Sequence, residues 1–302
     1  MTTNKKPLLK RVRKYSAKGI ELIKSKNCRK ARYYYEMAME LFPNNPTYLN
    51  QYGFTKSQEG KIECALKYYS RAILLLPDNS LYLNNRAFCL EKLGKCEEAI
   101  EDFSKAIDLK PSEIDYLEGR INCYERINKY DLAIRDYDTL LGIKPDNSIY
   151  LHNRGICYRE IGNYKSALKD HCRAVKLSPN EPLTFNRRGK VYFLLKKYQL
   201  AIDDNTNSIK LKSDNPEFFY DRGLSYYHLK KFKLSIKDFS EAIQLNDQKA
   251  DYLYYRALSY QKEKKFELSI QDFSKAFELD PNTEYSNGKD LSLKKLLKKR
   301  KK

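Results

Sequence analysis

The chain has 302 residues and a formal net charge of +19, from 58 lysines and arginines against 39 acids. Much of that excess sits at the two ends: residues 1–14 carry six bases and no acid, and residues 294–302 carry seven bases and no acid. The stretch between is nearly balanced, which argues against a polyanion-binding surface along its length, and its longest apolar run, Ala72–Leu76, is far too short to span a bilayer.

Residues 1–11 read as a basic N-terminal tail with no apolar segment of the secretory type. From Val12 to Thr283 the sequence then repeats every 34 residues without an insertion. The period divides this stretch into eight repeats: 12–45, 46–79, 80–113, 114–147, 148–181, 182–215, 216–249 and 250–283. Such an array needs no single large core, so the length does not imply two globular domains. Each repeat predicts two amphipathic helices joined by a short turn. In 80–113, Tyr82, Leu83, Phe88 and Leu90 stripe the first helix, and Gly94 and Lys95 break the pattern. Ala99, Ile100, Phe103, Ala106, Ile107 and Leu109 stripe the second, and Pro111 closes the repeat because proline cannot continue the helix before it.

The fourth repeat is crowded by Ile121 and Leu140, which should alter its helix crossing slightly. The sixth is the weakest, with Asn205, Ser208 and Ser213, and His171 fills the site of Asn205 one repeat earlier. These two polar side chains are expected either to hydrogen-bond each other or water, or to mark a soft joint. After Thr283 the period stops. Gly288 and Asp290 predict the start of a capping helix within 284–302, with Leu293, Leu296 and Leu297 as its apolar face and a solvated basic tail beyond.

Positions are counted from the first residue of each repeat. Position eight holds Gly19, Gly53, Ala87, Ile121, Gly155, Gly189, Gly223 and Ala257; position 20 holds alanine or serine throughout. Position 27 is small except at Leu140, and position 32 is proline except at Ser213 and Asp247. Small residues recur where two helices must approach closely. Seven cysteines, none in a C-x-x-C pair, follow the same logic: Cys89, Cys123 and Cys157 share one position, as buried apolar residues in a reducing compartment would.

These columns resemble those of the tetratricopeptide repeat family over all eight repeats, although position four lacks the family's tryptophan. The resemblance implies an all-α fold, a right-handed superhelical solenoid of paired antiparallel helices. It also implies that ligands bind in a concave groove lined by the first helices. The groove positions here hold Asn50, Phe54, Asn84, Asn85, Phe88, Asn122, His152, Asn153, Asn186, Arg187 and Lys190. Asparagine amides offer both a donor and an acceptor to an extended peptide backbone, and they also serve simply to keep an exposed face soluble. A narrower resemblance concerns co-chaperone repeats that grip a C-terminal carboxylate with lysine, asparagine and arginine. It is partial: Asn122, Asn153 and Arg187 are in register, but Glu118 and Leu183 stand where lysines belong, and a glutamate repels a carboxylate.

One charge pattern predicts structure. Arg86, Arg120, Arg154, Arg188, Arg222 and Arg256 occupy position seven, and Asp102, Asp136, Asp170, Asp204, Asp238 and Asp272 position 23. The first two repeats have Lys18, Tyr34, Tyr52 and Tyr68 instead. An arginine ladder for nucleic acid would leave the aspartates unexplained, whereas a partly buried pair within each repeat accounts for both.

No phosphate-binding loop, dinucleotide fingerprint or nucleophile elbow is present, and His152, His171 and His228 fall at different repeat positions. The sequence therefore predicts a cytoplasmic, non-catalytic scaffold or adaptor for a protein or peptide partner, with no cofactor, metal or catalytic residue. The alternatives are an adaptor for a chaperone tail, and association with nucleic acid or an anionic membrane through the basic ends. The KKRKK terminus also resembles a nuclear-import signal.

Overall fold

The computed structural model describes residues 5–300, and these form seventeen α-helices and no strand. Residues up to Pro145 and residues from Asp146 onward make two compact units. In the N-terminal unit α1 (Lys5–Lys24) pairs with α2 (Cys28–Leu41), and α3 (Pro46–Gln58) with α4 (Ile62–Leu75). There α5 (Ser80–Lys92) also pairs with α6 (Cys96–Leu109), and α7 (Ile114–Arg126) with α8 (Tyr130–Ile143). In the C-terminal unit α9 (Ser148–Glu160) pairs with α10 (Tyr164–Leu177), and α11 (Pro182–Leu194) with α12 (Tyr198–Leu211). Next come α13 (Pro216–His228) with α14 (Phe232–Leu245), then α15 (Ala250–Lys262) with α16 (Phe266–Leu279), and α17 (Thr283–Arg300) packs on α16. Within each unit a first helix also touches the next first helix, as α3 does α5 and α11 does α13. Among the described residues no two second helices approach as closely, so the first helices form the inner layer of each unit.

The helix boundaries have chemical causes. Asn45, Asn79, Asn147 and Asn215 precede first helices, and each side chain accepts from a backbone N–H of the first turn. Between the two helices of a pair one residue takes a positive φ: Lys26, Gly60, Gly94, Asn128, Gly162, Lys196, Lys230 or Lys264. The following N–H then reaches back over the helix end, as Lys197 N–H does to the Tyr192 carbonyl at 2.8 Å. This satisfies an orphan carbonyl and reverses the chain.

Where the helices cross, Ala31, Ala65, Ala99, Ala133, Ala167, Ala201, Ser235 and Ser269 are wholly buried. Beside them, in most repeats, a ring of the second helix lies against the small residue of the first. A β-carbon on Gly223 would come within 2.8 Å of the Phe239 ring. Burial of such a ring contributes about 2–3 kcal/mol, so the glycine and the ring depend on each other. Ile121 and Leu140 are both buried, and α7 and α8 approach each other less closely than the two helices of any other repeat. In the sixth repeat the polar side chains are bonded, but not to His171. Asn205 Oδ1 accepts from Asn186 Nδ2 at 2.8 Å, Asn205 Nδ2 donates to the Ala201 carbonyl at 3.0 Å, and Ser208 Oγ donates to the Pro182 carbonyl at 2.9 Å. Both ring nitrogens of His171 are buried without a hydrogen-bond partner among the described residues.

All six arginines pair within their own repeat. Each donates Nε and Nη2 to the two carboxylate oxygens of the aspartate sixteen residues on, at 2.6–2.8 Å. The carboxylates are buried and the arginine side chains retain 17–25% of their surface. The bond to Asp204 holds Arg188 above the usual arginine range. A further attachment escaped the sequence reading: Nη1 donates to position 25 of the preceding repeat, as Arg120 does to Ser104 (2.9 Å), Arg222 to Thr206 (3.1 Å) and Arg256 to Ser240 (3.1 Å). In the second repeat Tyr52 makes the equivalent joint, donating to Glu36 at 2.8 Å and meeting the Tyr68 ring edge-on at 4.5 Å.

Both ends differ from expectation. The stretch read as a tail over 1–11 is helical from Lys5, because lysine, leucine and arginine sustain a helix and Pro7 falls in its first turn, where proline is tolerated. Residues 1–4 lie outside the described residues, as do Lys301 and Lys302 of the C-terminal basic run, which is helical as far as Arg300. The last helix starts at Thr283, not near Gly288. Gly288 is a close-packing residue, whose β-carbon would come within 2.5 Å of the Phe273 ring. Only three residues separate α16 from α17, one fewer than between α6 and α7. This shift places Tyr285, Ser292 and Leu296 in the core and leaves Leu293 and Leu297 exposed, so the buried face is not the one the leucines suggested.

Candidate functional site

On the inner layer, neighbouring positions along a helix point about 100° apart, and this separates the predicted groove residues into two groups. Position five turns into the protein: Asn50, Asn84, His152 and Asn186 are buried, with 2%, 7%, 9% and 4% of their surface exposed. Positions six and nine face outward. Asn85, Asn153, Arg187, Phe54, Phe88 and Lys190 are half-buried, and Asn122 is exposed.

In the N-terminal unit Asn85 Nδ2 donates to Asn50 Oδ1 at 2.9 Å, linking α5 to α3. Asn84 Oδ1 is buried without a partner among the described residues, and Phe88 packs edge-on against Phe103 at 5.4 Å. These residues make a partly apolar amide ladder.

The C-terminal unit is more strongly featured. His152 and His171 meet edge-to-face at 5.3 Å. Burial, reinforced by Arg187, lowers His152 to about 4; burial, reinforced by His152, lowers His171 to about 3. Both are neutral rings near pH 7. Asn186 Nδ2 donates to Asn205 and, at 2.7 Å, to Asp221 Oδ2, which also lies 3.4 Å from Lys190 Nζ. Arg159 pairs with Glu160. Arg187 makes no hydrogen bond or ion pair among the described residues, and burial, with Arg159 nearby, holds it below the usual arginine range.

Three cavities open on this layer. One of about 230 Å³ is lined by Ile149, His152, Leu183 and Arg187. A second of about 250 Å³ is lined by Arg159, Asn186, Arg187, Lys190 and Glu217. The third, about 220 Å³, has Gly189, Phe193, Leu194, Leu224 and Asn205 as walls, with Arg159, Lys190 and Asp221 around them. Beyond it lies an aromatic wall in which Tyr220 contacts Tyr252 at 4.9 Å and Tyr255 at 5.9 Å. Sequence reasoning missed Phe193, Leu194, Asp221 and Leu224. The signal that could have found them is Asn205, which stands where other repeats carry a ring while Gly189 is retained. No group of three or more His, Cys, Asp or Glu side chains suited to a metal ion occurs among the described residues.

Family models described as tetratricopeptide repeat match residues 80–113, 122–182, 216–249 and 250–283. No curated protein matches the chain. Among solved structures, the C-terminal part of a tetratricopeptide repeat protein from Cytophaga hutchinsonii superposes with a TM-score of 0.64 at 16% identity, covering 79% of this chain and 98% of that one. A tetratricopeptide repeat protein from Parabacteroides merdae gives 0.57 at 20% identity, covering 83% and 99%. A chain of the APC/C hetero-tetramer Cut9–Hcn1 gives 0.58 at 19% identity, covering 88% of this chain, which spans about half (52%) of that one. At these identities the likeness is one of fold.

Proposed function

The chain belongs to the tetratricopeptide repeat family, and from that premise we propose that it is a non-catalytic scaffold holding an extended segment of a protein partner along its first helices. The observation that carries this reading is the inner layer itself: outward amides and cations at positions six and nine, with cavities opening between successive first helices. Side-chain amides there can satisfy the backbone of an extended peptide. The buried position-five residues serve the layer from behind, so Asn85, Asn122, Asn153, Arg187 and Lys190 are the contacts assigned to the partner. A chaperone-tail clamp is disfavoured by Glu118 and Leu183 in the lysine places.

The test is affinity capture with the full chain and with two variants of unchanged helicity, Asn85→Ala/Asn122→Ala in the N-terminal unit and Asn153→Ala/Arg187→Ala in the C-terminal unit. Proteins retained by the parent and lost by either variant are partners of the first-helix layer of that unit. An unchanged captured set would move binding to the second helices or the basic ends. In the latter case capture collapses as salt rises, because it depends on the bases concentrated in residues 1–14 and 294–302.

A further inference from the structure

The sixth repeat keeps a glycine but not the ring that the glycine makes room for. In the fifth repeat Gly155 lies under the His171 ring, and in the seventh Gly223 lies under Phe239. In the sixth, Gly189 faces Asn205, a shorter side chain held by Asn186 and by the Ala201 carbonyl. The space left over opens onto the inner layer as the cavity of about 220 Å³, with Phe193, Leu194 and Leu224 as apolar walls. The seventh repeat shows what such a space accepts, since the Phe239 ring fills its counterpart and is fully buried.

The charges around the opening are unequal. Asp221 is engaged by Asn186 and Lys190, and Arg159 by Glu160. Arg187, in the adjoining cavity that shares Arg159 and Lys190, has no counter-ion among the described residues. A half-buried guanidinium without an acceptor has already given up water, so an arriving carboxylate gains a charge-assisted bond at reduced desolvation cost.

We propose that this cavity anchors an acidic segment of a partner protein. An aromatic or leucine side chain of the segment enters the cavity beside Gly189 and Asn205, against Phe193, Leu194 and Leu224, and an aspartate or glutamate close to it in sequence meets Arg187. The inference rests on the reading of the first-helix layer as the binding face. A single desolvated ring at the centre of a contact is the kind of side chain that dominates such interfaces.

Asn205→Phe supplies the missing ring from inside and so closes the site while restoring the packing of the neighbouring repeats. Asn205→Leu fills the same space with a smaller side chain, should the ring disturb folding. Phage-displayed random peptides are selected on the full chain, and the enriched sequences are titrated by fluorescence anisotropy into parent, Asn205→Phe, Asn205→Leu, Arg187→Ala and Asn153→Ala. The expected outcome is enrichment of an aromatic residue or leucine close to an acid. At least one of the two filled variants, with a melting temperature no lower than the parent's, should bind about tenfold or more weakly. Arg187→Ala should also bind more weakly, and less so as salt rises. Peptides that bind the folded filled variants as tightly as the parent, yet weaken on Asn153→Ala, would overturn the anchor site and leave the binding face standing. Peptides indifferent to every substitution, or no enrichment at all, would overturn both. Enrichment of basic or uncharged peptides would overturn the acidic assignment.

Discussion

Each arginine at position seven closes a fork onto its own aspartate and, in most repeats, a single bond onto the repeat before. For Arg222 the fork to Asp238 measures 2.8 Å on both arms, and the aspartate side chain is 4% exposed. Removing one partner strands a buried charge, at a cost of about 3–5 kcal/mol. Arg222→Met with Asp238→Leu should therefore be milder than the sum of the single changes, with the Thr206 hydroxyl left as the residual loss of about 1 kcal/mol. Additive melting data from that cycle would mean the fork does not form in solution. The histidine pair predicts pH dependence of a definite sign. His152 and His171 are held at about 4 and about 3, below the ordinary value of about 6.5, so the unfolded chain takes up protons first as pH falls. Their stabilising contribution is full above about pH 6.5 and is lost progressively below it, by about 2 kcal/mol per histidine at pH 5. His171→Phe, the residue found at the same place as Phe239 and Phe273, should lose less stability between pH 7 and pH 5 than the parent. Equal losses in thermal unfolding would show that His171 does not stay neutral in the folded protein.

The turn between paired helices presents a different kind of cost. Lys26, Lys196, Lys230 and Lys264 occupy the left-handed conformation that Gly60, Gly94 and Gly162 occupy elsewhere (φ 58–59° for the lysines, 77–80° for the glycines). A side chain there costs about 1 kcal/mol relative to glycine. Lys196→Gly and Lys230→Gly should each raise stability by about 0.5–1 kcal/mol, read as a shift in denaturant midpoint without a change in slope. A midpoint that falls would mean the lysine stems contribute packing that outweighs the strain. The final helix teaches a related lesson about register. A link shorter by one residue rotates the whole of α17, so Ser292 takes the buried place that Ser259 holds in α15, while Leu293 is exposed. Apolar spacing within the helix could not reveal this, because the leucines at 293, 296 and 297 do share a side of the helix. What decides which side is buried is the length of the turn before it.

At the scale of the molecule, the features set by the repeat were legible in the sequence and the features set by departures from it were not. The helix starts from Pro46 to Ala250 fall on the repeat boundaries, and the Arg–Asp register follows from which repeats carry both residues. The candidate site was legible only in part. Asparagine at positions five and six looks alike in sequence, yet one residue of helix rotation buries Asn84 and leaves Asn85 half-buried. The cavity beside Asn205 is a property of what is missing, visible only once the ring of each neighbouring repeat has been placed. The Nη1 bond to the preceding repeat carries a consequence for how such a chain can grow. Because the acceptor lies at position 25 and the arginine at position seven, a repeat that owns both residues is compatible with a copy of itself. In a tandem duplication of residues 216–249 the second copy's arginine would find the Ser240 hydroxyl of the first, as Arg256 already does at 3.1 Å, and its own aspartate sixteen residues on. The second repeat, with Tyr52 and Tyr68 in place of that pair, offers its copy no such fork. A chain lengthened by duplicating the seventh repeat should melt no lower than its parent, whereas one lengthened by duplicating the second should not gain to the same degree. Gene duplication would then favour the repeats from the third onward as templates over the second.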